Sequence, residues 1–284
     1  MKAVFQDMQL QRLFDRHGYV AVDLLDSSSV SHLLAIYERF ADRHADGFSA
    51  TLLSPDLGYR RLANKEVEQV IALRVASIVC DYRHISSGFA VKQPGGARGR
   101  MPLHQDITMA TEEGRPALSL WIPLVEVNDR NGSLEMVAGS HRLNRKPRAP
   151  GTTFAASLFE AEIRDRYIST IAMQPGQAVF MDQALFHSSS PNLSPRPRPV
   201  AVSVLVPREQ PLVYYHRQEI DGRILLERFE VPDDFFLYHA VGSRPARGLS
   251  TGFVEETAEP ISLEDIASAV GCGPEEQSPL TYSE

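Results

Sequence analysis

The middle of this chain is written in short apolar runs broken by glycine and proline, and that pattern limits the fold more than any other feature. Segments near 88–93, 118–127, 133–137, 171–173, 178–182 and 200–206 read as strands. Turn signals separate them: Pro94-Gly95-Gly96, Asn131-Gly132 and Pro175-Gly176. Val200, Val202, Val204 and Val206 face one way and Ala201, Ser203 and Leu205 the other, the period-2 alternation of a strand. Several short strands punctuated in this way predict a β-sandwich or a small barrel.

The flanks have a different period. Leu10, Leu13 and Phe14 share one helix face, with Gly18 as the stop. Tyr19 to Leu25 alternates as a strand. Ser27 to Ser29 offer N-caps for a helix with Val30, Leu33, Leu34, Tyr37 and Phe40 on one side. A third helix is predicted from Asn64 to about Tyr82. The stretch 141–169 interrupts the strands; it begins basic and ends in a predicted helix from about Ser157 to Tyr167. An insertion of that length is more often functional than idle, and lids are one use. Ser262-Leu263-Glu264-Asp265 reads as a capping box. No Lys or Arg follows Arg247, and the last dozen residues read as a loose acidic end.

Composition narrows the class. A net charge of −7 does not favour a nucleic-acid partner. The two cysteines, Cys80 and Cys272, are too few for a disulfide framework or a Cys-based zinc site. The N-terminus lacks the apolar core of a signal peptide, and no apolar run approaches the roughly 20 residues that span a bilayer. A cytoplasmic protein with no membrane partner is expected.

The chemistry sits in Leu103-His104-Gln105-Asp106 and in His187, which closes the apolar run 178–187. On a strand, positions i and i+2 share a face, so His104 and Asp106 can point at one metal while Gln105 turns away. His187 supplies a third ligand from another strand. Two histidines and one carboxylate on one face leave open positions, the ligand set of non-haem Fe(II) oxygenases. Arg198 follows eleven residues after His187, at the start of an alternating strand. A guanidinium there pairs a carboxylate in two parallel hydrogen bonds, which suits 2-oxoglutarate as co-substrate. Arg196 is a competitor, on the same strand face if the strand starts early.

Other readings stay open at this point. A lone His-x-Asp pair is a weak signal, and nine histidines give several chance combinations. His141, in Gly139-Ser140-His141, has no carboxylate two residues away and suits a turn. His17, His32, His44, His84, His216 and His239 have no ligand-like context. The same donor set can hold zinc for hydrolysis, although a zinc hydrolase has no need of Arg198. A non-catalytic or metal-sensing member of the fold is the other alternative.

Pro102 to Asp106 resembles the iron-binding motif of phytanoyl-CoA dioxygenase-like Fe(II)/2-oxoglutarate-dependent oxygenases. The stretch 120–134, then Gly139-Ser140-His141-Arg142, then Pro175-Gly176-Gln177-Ala178-Val179-Phe180, and finally 187–198 follow in that family's order. The resemblance covers about residues 5–207. It implies a mainly β fold, a double-stranded β-helix (a cupin-like jelly roll) with flanking helices, and Fe(II), 2-oxoglutarate and O2 as cofactors. It implies His104, Asp106 and His187 as iron ligands and Arg198 as partner of the distal 2-oxoglutarate carboxylate. Ser189, Trp121 and Lys92 match positions around the co-substrate. Asn192 and Ser194 fit the motif and suit a turn.

One domain over 1–284 is expected: N-terminal helices 1–85, a jelly-roll core of about 86–207 carrying the 141–169 insertion, and a C-terminal extension 208–284. Relatives that chlorinate replace the metal carboxylate, so Asp106 implies hydroxylation or another oxidation. The chain is shorter than the family's fatty-acyl-CoA enzymes and ends in Thr281-Tyr282-Ser283-Glu284, without a recognisable peroxisomal tail. A bacterial-type hydroxylase of a small molecule, monomeric or homodimeric, is expected. Arg98, Arg100, Arg115, Arg142, Arg145, Lys146 and Arg148 favour an anionic substrate if they face the pocket.

Overall fold

Three aspartates start the three N-terminal helices. Asp7 accepts from Gln9 and Leu10 N–H at the head of α1 (Met8–His17), Asp26 from Ser29 N–H at α2 (Ser27–Glu38), and Asp56 from Tyr59 N–H at α3 (Leu57–Ala76). The cap of α2 is therefore Asp26 rather than the serines. Helix α3 begins earlier than its apolar spacing predicts, because Asp56 supplies the cap, and ends at Ser77. Gly18 stops α1 as expected, with φ 79° and its N–H on Phe14 O.

In the computed structural model, which describes residues 2–95, 97–111, 114–257, 260–270 and 281–282, the strands follow in chain order. They are β1 (Tyr19–Asp23), β2 (Phe48–Ala50), β3 (Tyr82–Lys92), β4 (Met101–His104), β5 (Leu118–Pro123), β6 (Leu134–Met136), β7 (Ser169–Ile171), β8 (Gln177–Asp182), β9 (His187–Ser189) and β10 (Arg198–Pro207). Helix α4 (Glu160–Arg166) lies before β7. After β10 come β11 (Val213–Ile220), β12 (Arg223–Glu230), α5 (Phe235–Tyr238), β13 (Leu249–Glu255), α6 (Leu263–Val270) and β14 (Thr281–Tyr282). The large sheet has the order β14-β1-β8-β5-β10-β3-β2, and a four-stranded sheet the order β4-β9-β6-β7. Pairing is antiparallel except β1 with β14. Two facing antiparallel sheets with helices outside make the jelly roll.

Strand alternation divides the core. Phe89, Val91, Leu120, Phe180 and Ala201 pack under Leu33, Ile36, Val67 and Ile71 of α2 and α3. The other face of the large sheet (Ala90, Trp121, Val179, Val200) meets Leu134, Met136 and Ile171 of the small sheet. The site lies in that second space. The insertion and α6 close over the outer side of the small sheet, with Ile163 and Ile266 on Leu103, Val137 and Phe186. The C-terminal extension forms a separate sheet, β11-β12-β13, whose Tyr214 and Phe229, with Leu212 just before it, pack with Phe235 and Phe236 on Ile85 and Val206.

The Ser262–Asp265 box forms, Asp265 N–H donating to Ser262 Oγ and Ser262 N–H to Asp265 Oδ2. The expected loose end and Cys272 fall largely outside the described residues, although β14 pairs with β1. Among the described residues no helix is long and apolar enough to cross a membrane.

Candidate metal centre

His104 is the last residue of β4 and lies opposite His187, the first of β9. Their ring centroids are 4.3 Å apart. Asp106 stands just past the strand end. The β4–β9 ladder, irregular between Met101 and His104, ends at the His104–His187 pair, and Asp106 N–H bonds instead to Gln183 O. The residues that the i, i+2 strand argument named do come together, but on a different backbone. Asp106 Oδ1 is 3.8 Å from Nε2 of each histidine, and one donor atom from each residue lies within 4.8 Å of the others.

The tautomers follow from the partners. His104 Nδ1 is 2.8 Å from Pro102 O and His187 Nδ1 is 3.0 Å from Leu185 O. A carbonyl only accepts, so each Nδ1 carries the proton and each Nε2 turns a lone pair toward Asp106. Burial, with His187 beside it, holds the His104 imidazole down at about 4, against the pull of Asp106. It is neutral near pH 7, the form a metal needs. Burial opposes ionisation of Asp106, but His187, His104, the Ser119 hydroxyl and Arg148 together hold its carboxyl below the usual range.

The loop that carries the pair is tied down. Gln105 turns away, as expected, and donates to Asn144 O and Ala184 O. Arg148 Nε donates to Asp106 O. Ser119 Oγ donates to Asp106 Oδ2 at 2.6 Å, a contact sequence reasoning missed although Ser119 sits two residues before Trp121 on the same strand face.

The three residues open into a cavity of about 280 Å³ that Arg198, Trp121 and Ser189 also line. Arg198 starts β10 and is only 2% exposed. Its Nε and Nη1 are buried without a hydrogen-bond partner among the described residues. Burial lowers its pKa to about 9, so it stays charged near neutrality. Its guanidinium carbon lies 5.2 Å from the Trp121 ring centroid. Buried polar groups are nearly always paired, so two orphaned donors on one cation mark an anion seat. Gly132, at φ 101°, makes room: a Cβ there would fall 2.8 Å from Lys92 Cδ and 3.5 Å from Arg198 Nη2.

Lys92 and Arg196 lie outside the lining of this cavity. Lys92 pairs with Arg198 across β3 and β10 but does not line the cavity; its ammonium bonds to the carbonyls of Ser189 and Ser190. It fastens the end of β9. Arg196 precedes β10 and is exposed, its carbonyl accepting from Asn192, which is buried and builds the turn with Ser194.

The basic residues also leave the cavity. Arg115 is buried against Glu209. Arg142 caps carbonyls of Asp15, Arg16 and Ala269, Arg145 pairs with Asp182, and Lys146 meets Thr257. Arg98 and Arg100 are exposed. None of them lines the space before the triad. His141 is buried in a 3-10 turn beside Phe14, and the other histidines lie outside the triad.

The family model described as phytanoyl-CoA dioxygenase matches residues 14–200. The chain is 32% identical over 225 residues to an ectoine dioxygenase of Bordetella parapertussis, covering 65% of this chain and 70% of that one. Among solved structures, the epimerase SnoN of nogalamycin biosynthesis, in complex with Fe3+, alpha-ketoglutarate and nogalamycin RO, superposes with TM-score 0.54 at 23% identity, over 72% of this chain and 84% of that one. EctD from S. alaskensis with bound Fe gives 0.50 at 22% identity, over 75% and 84%. These two likenesses concern the fold.

Proposed function

Since this chain belongs to the phytanoyl-CoA dioxygenase family and is a 2-oxoglutarate-dependent dioxygenase using iron, we propose that His104, Asp106 and His187 hold the Fe(II) and Arg198 the distal carboxylate of 2-oxoglutarate, for hydroxylation of an aliphatic C–H of a small molecule. The observation that carries this reading is the sharing of one cavity by the triad and by the two orphaned donors of Arg198. A zinc hydrolase would use the triad and leave a buried unpaired cation unexplained. The whole chain is read as one catalytic domain, because the N-terminal helices and the β3, β5, β8 and β10 strands share one apolar cluster.

When bound, iron with 2-oxoglutarate and O2 supplies the oxidant: the oxoacid is decarboxylated to succinate and CO2, one oxygen atom entering succinate and the other the C–H bond. The protein's part is placement. His104 and His187 turn their Nε2 atoms toward the metal site because Pro102 O and Leu185 O accept from Nδ1 on the far side. Ser119 takes Asp106 Oδ2 and so leaves Oδ1 turned toward the histidines. Arg198, fixed against Trp121, orients a dicarboxylate by its far end, and the dry wall around it strengthens that pairing. Protein loaded with Fe(II) anaerobically should form succinate from 2-oxoglutarate once O2 is admitted, and this Fe(II)-dependent turnover should be lost in His104→Ala; undiminished turnover in that variant would remove the triad from the reaction.

A further inference from the structure

We propose that the segment of the substrate presented for oxidation is uncharged and largely apolar, seated against a fixed wall formed by Thr51–Leu53, Val202 and Val204. This rests on the reading of the triad and Arg198 given above. Among the described residues, the charged or titratable groups lining the cavity are His104, Asp106, His187 and Arg198, and each already has a task. The rest of the lining is uncharged: the apolar Phe48, Leu52, Leu53, Met101, Val202 and Val204, with small hydroxyl residues such as Ser86 and Ser189 between them. Of the hydroxyls on the lining residues, Ser119 is committed to Asp106, and Ser87 and Ser203 bond to each other, Ser203 also to His84. A charged group on the substrate would lose its water there and meet no counter-ion.

The wall is set rather than mobile. Thr51 Oγ1 accepts from Phe89 N–H and lies 2.9 Å from Tyr59 Oη; Tyr59 is in turn 2.9 Å from His44 Nε2, whose Nδ1 meets Ser49 Oγ. Gly88 gives Thr51 its seat, since a Cβ there would fall 2.6 Å from Thr51 Cβ. So anchored, the turn holds Leu52 half-buried and leaves Leu53 59% exposed at the rim. An apolar residue fixed at the mouth of a reactive cavity selects by shape and by excluding charge.

Trp121 is the only tryptophan of the chain and lines the cavity, so its fluorescence reports occupancy. The experiment uses anaerobic Fe(II)-protein, titrated first with 2-oxoglutarate and then, at saturating 2-oxoglutarate, with methyl cyclohexylacetate or with cyclohexylacetate. These two probes share an apolar body and differ in charge. The ester is expected to bind at least tenfold more tightly than the carboxylate, and Leu52→Lys to erase or reverse that ratio. A carboxylate that binds as tightly as the ester in the unaltered protein, or an ester that does not bind, overturns the proposal. Failure of the 2-oxoglutarate titration, with the ester still binding, instead overturns the reading of Arg198.

Discussion

Ser119 Oγ reaches Asp106 Oδ2 at 2.6 Å, and the other carboxylate oxygen of Asp106 stands 3.8 Å from the Nε2 of both His104 and His187. One hydroxyl thus decides which oxygen faces the histidines. Groups that orient metal ligands are typically worth about 10- to 100-fold in metal affinity. Ser119→Ala should therefore weaken Fe(II) binding by about tenfold or more, measured by anaerobic titration, and Ser119→Thr should restore it. Equal affinity in the alanine variant would make the contact incidental.

Arg198→Ala should raise the 2-oxoglutarate requirement by at least about 30-fold, since removing one partner of a buried charge pair costs roughly 2–5 kcal/mol. Arg196→Ala should leave it within about twofold, because Arg196 is exposed and ahead of the strand. Binding followed by calorimetry separates the two. A large effect at Arg196 instead would reverse the assignment.

Gly88→Ala should destabilise the fold by about 1–3 kcal/mol, the usual cost of overpacking, because the new methyl group meets Thr51. Chemical denaturation measures it. The wall at Leu52 and Leu53 should shift as well, weakening binding of the ester while Fe(II) affinity stays unchanged.

Lys92 gives a pH dependence. Burial first, and the neighbouring Arg198 second, lower its pKa from 10.5 to about 7, with Glu135 acting in the opposite sense. Between about pH 7 and 10 the unfolded chain therefore holds a proton that the folded protein lacks, and stability contributed by this group rises with pH through that window. Thermal unfolding of the metal-free protein should show that rise, and Lys92→Met should lose it whatever its own Tm. An identical slope in both proteins would place the titration elsewhere.

Much of the site was legible because its signals are local. The His104–Asp106 spacing, the His187 to Arg198 interval and the motif blocks whose resemblance pointed to Trp121 all lie within short stretches. Asp106 was found by a strand rule although it lies beyond the strand, since only pairing with Gln183 could reveal the break. The task of Lys92 depends on carbonyls near residue 190, far along the chain. The Thr51–Leu53 wall was illegible for the same reason: its anchors, Phe89 and Tyr59, belong to other elements. Where the basic residues point could not be read, because charge in a sequence does not tell which carbonyl or carboxylate will claim it. Arg115, buried on Glu209, is the clearest case.

The most direct measurement is anaerobic visible absorption of the protein with Fe(II), before and after 2-oxoglutarate, in the unaltered chain and in His187→Ala. A weak charge-transfer band that needs both additions, and is absent from the variant, is the result expected of a centre built from His104, Asp106 and His187 beside Arg198. Iron bound to the unaltered chain with no band on adding 2-oxoglutarate, or a band that survives in His187→Ala, would contradict it.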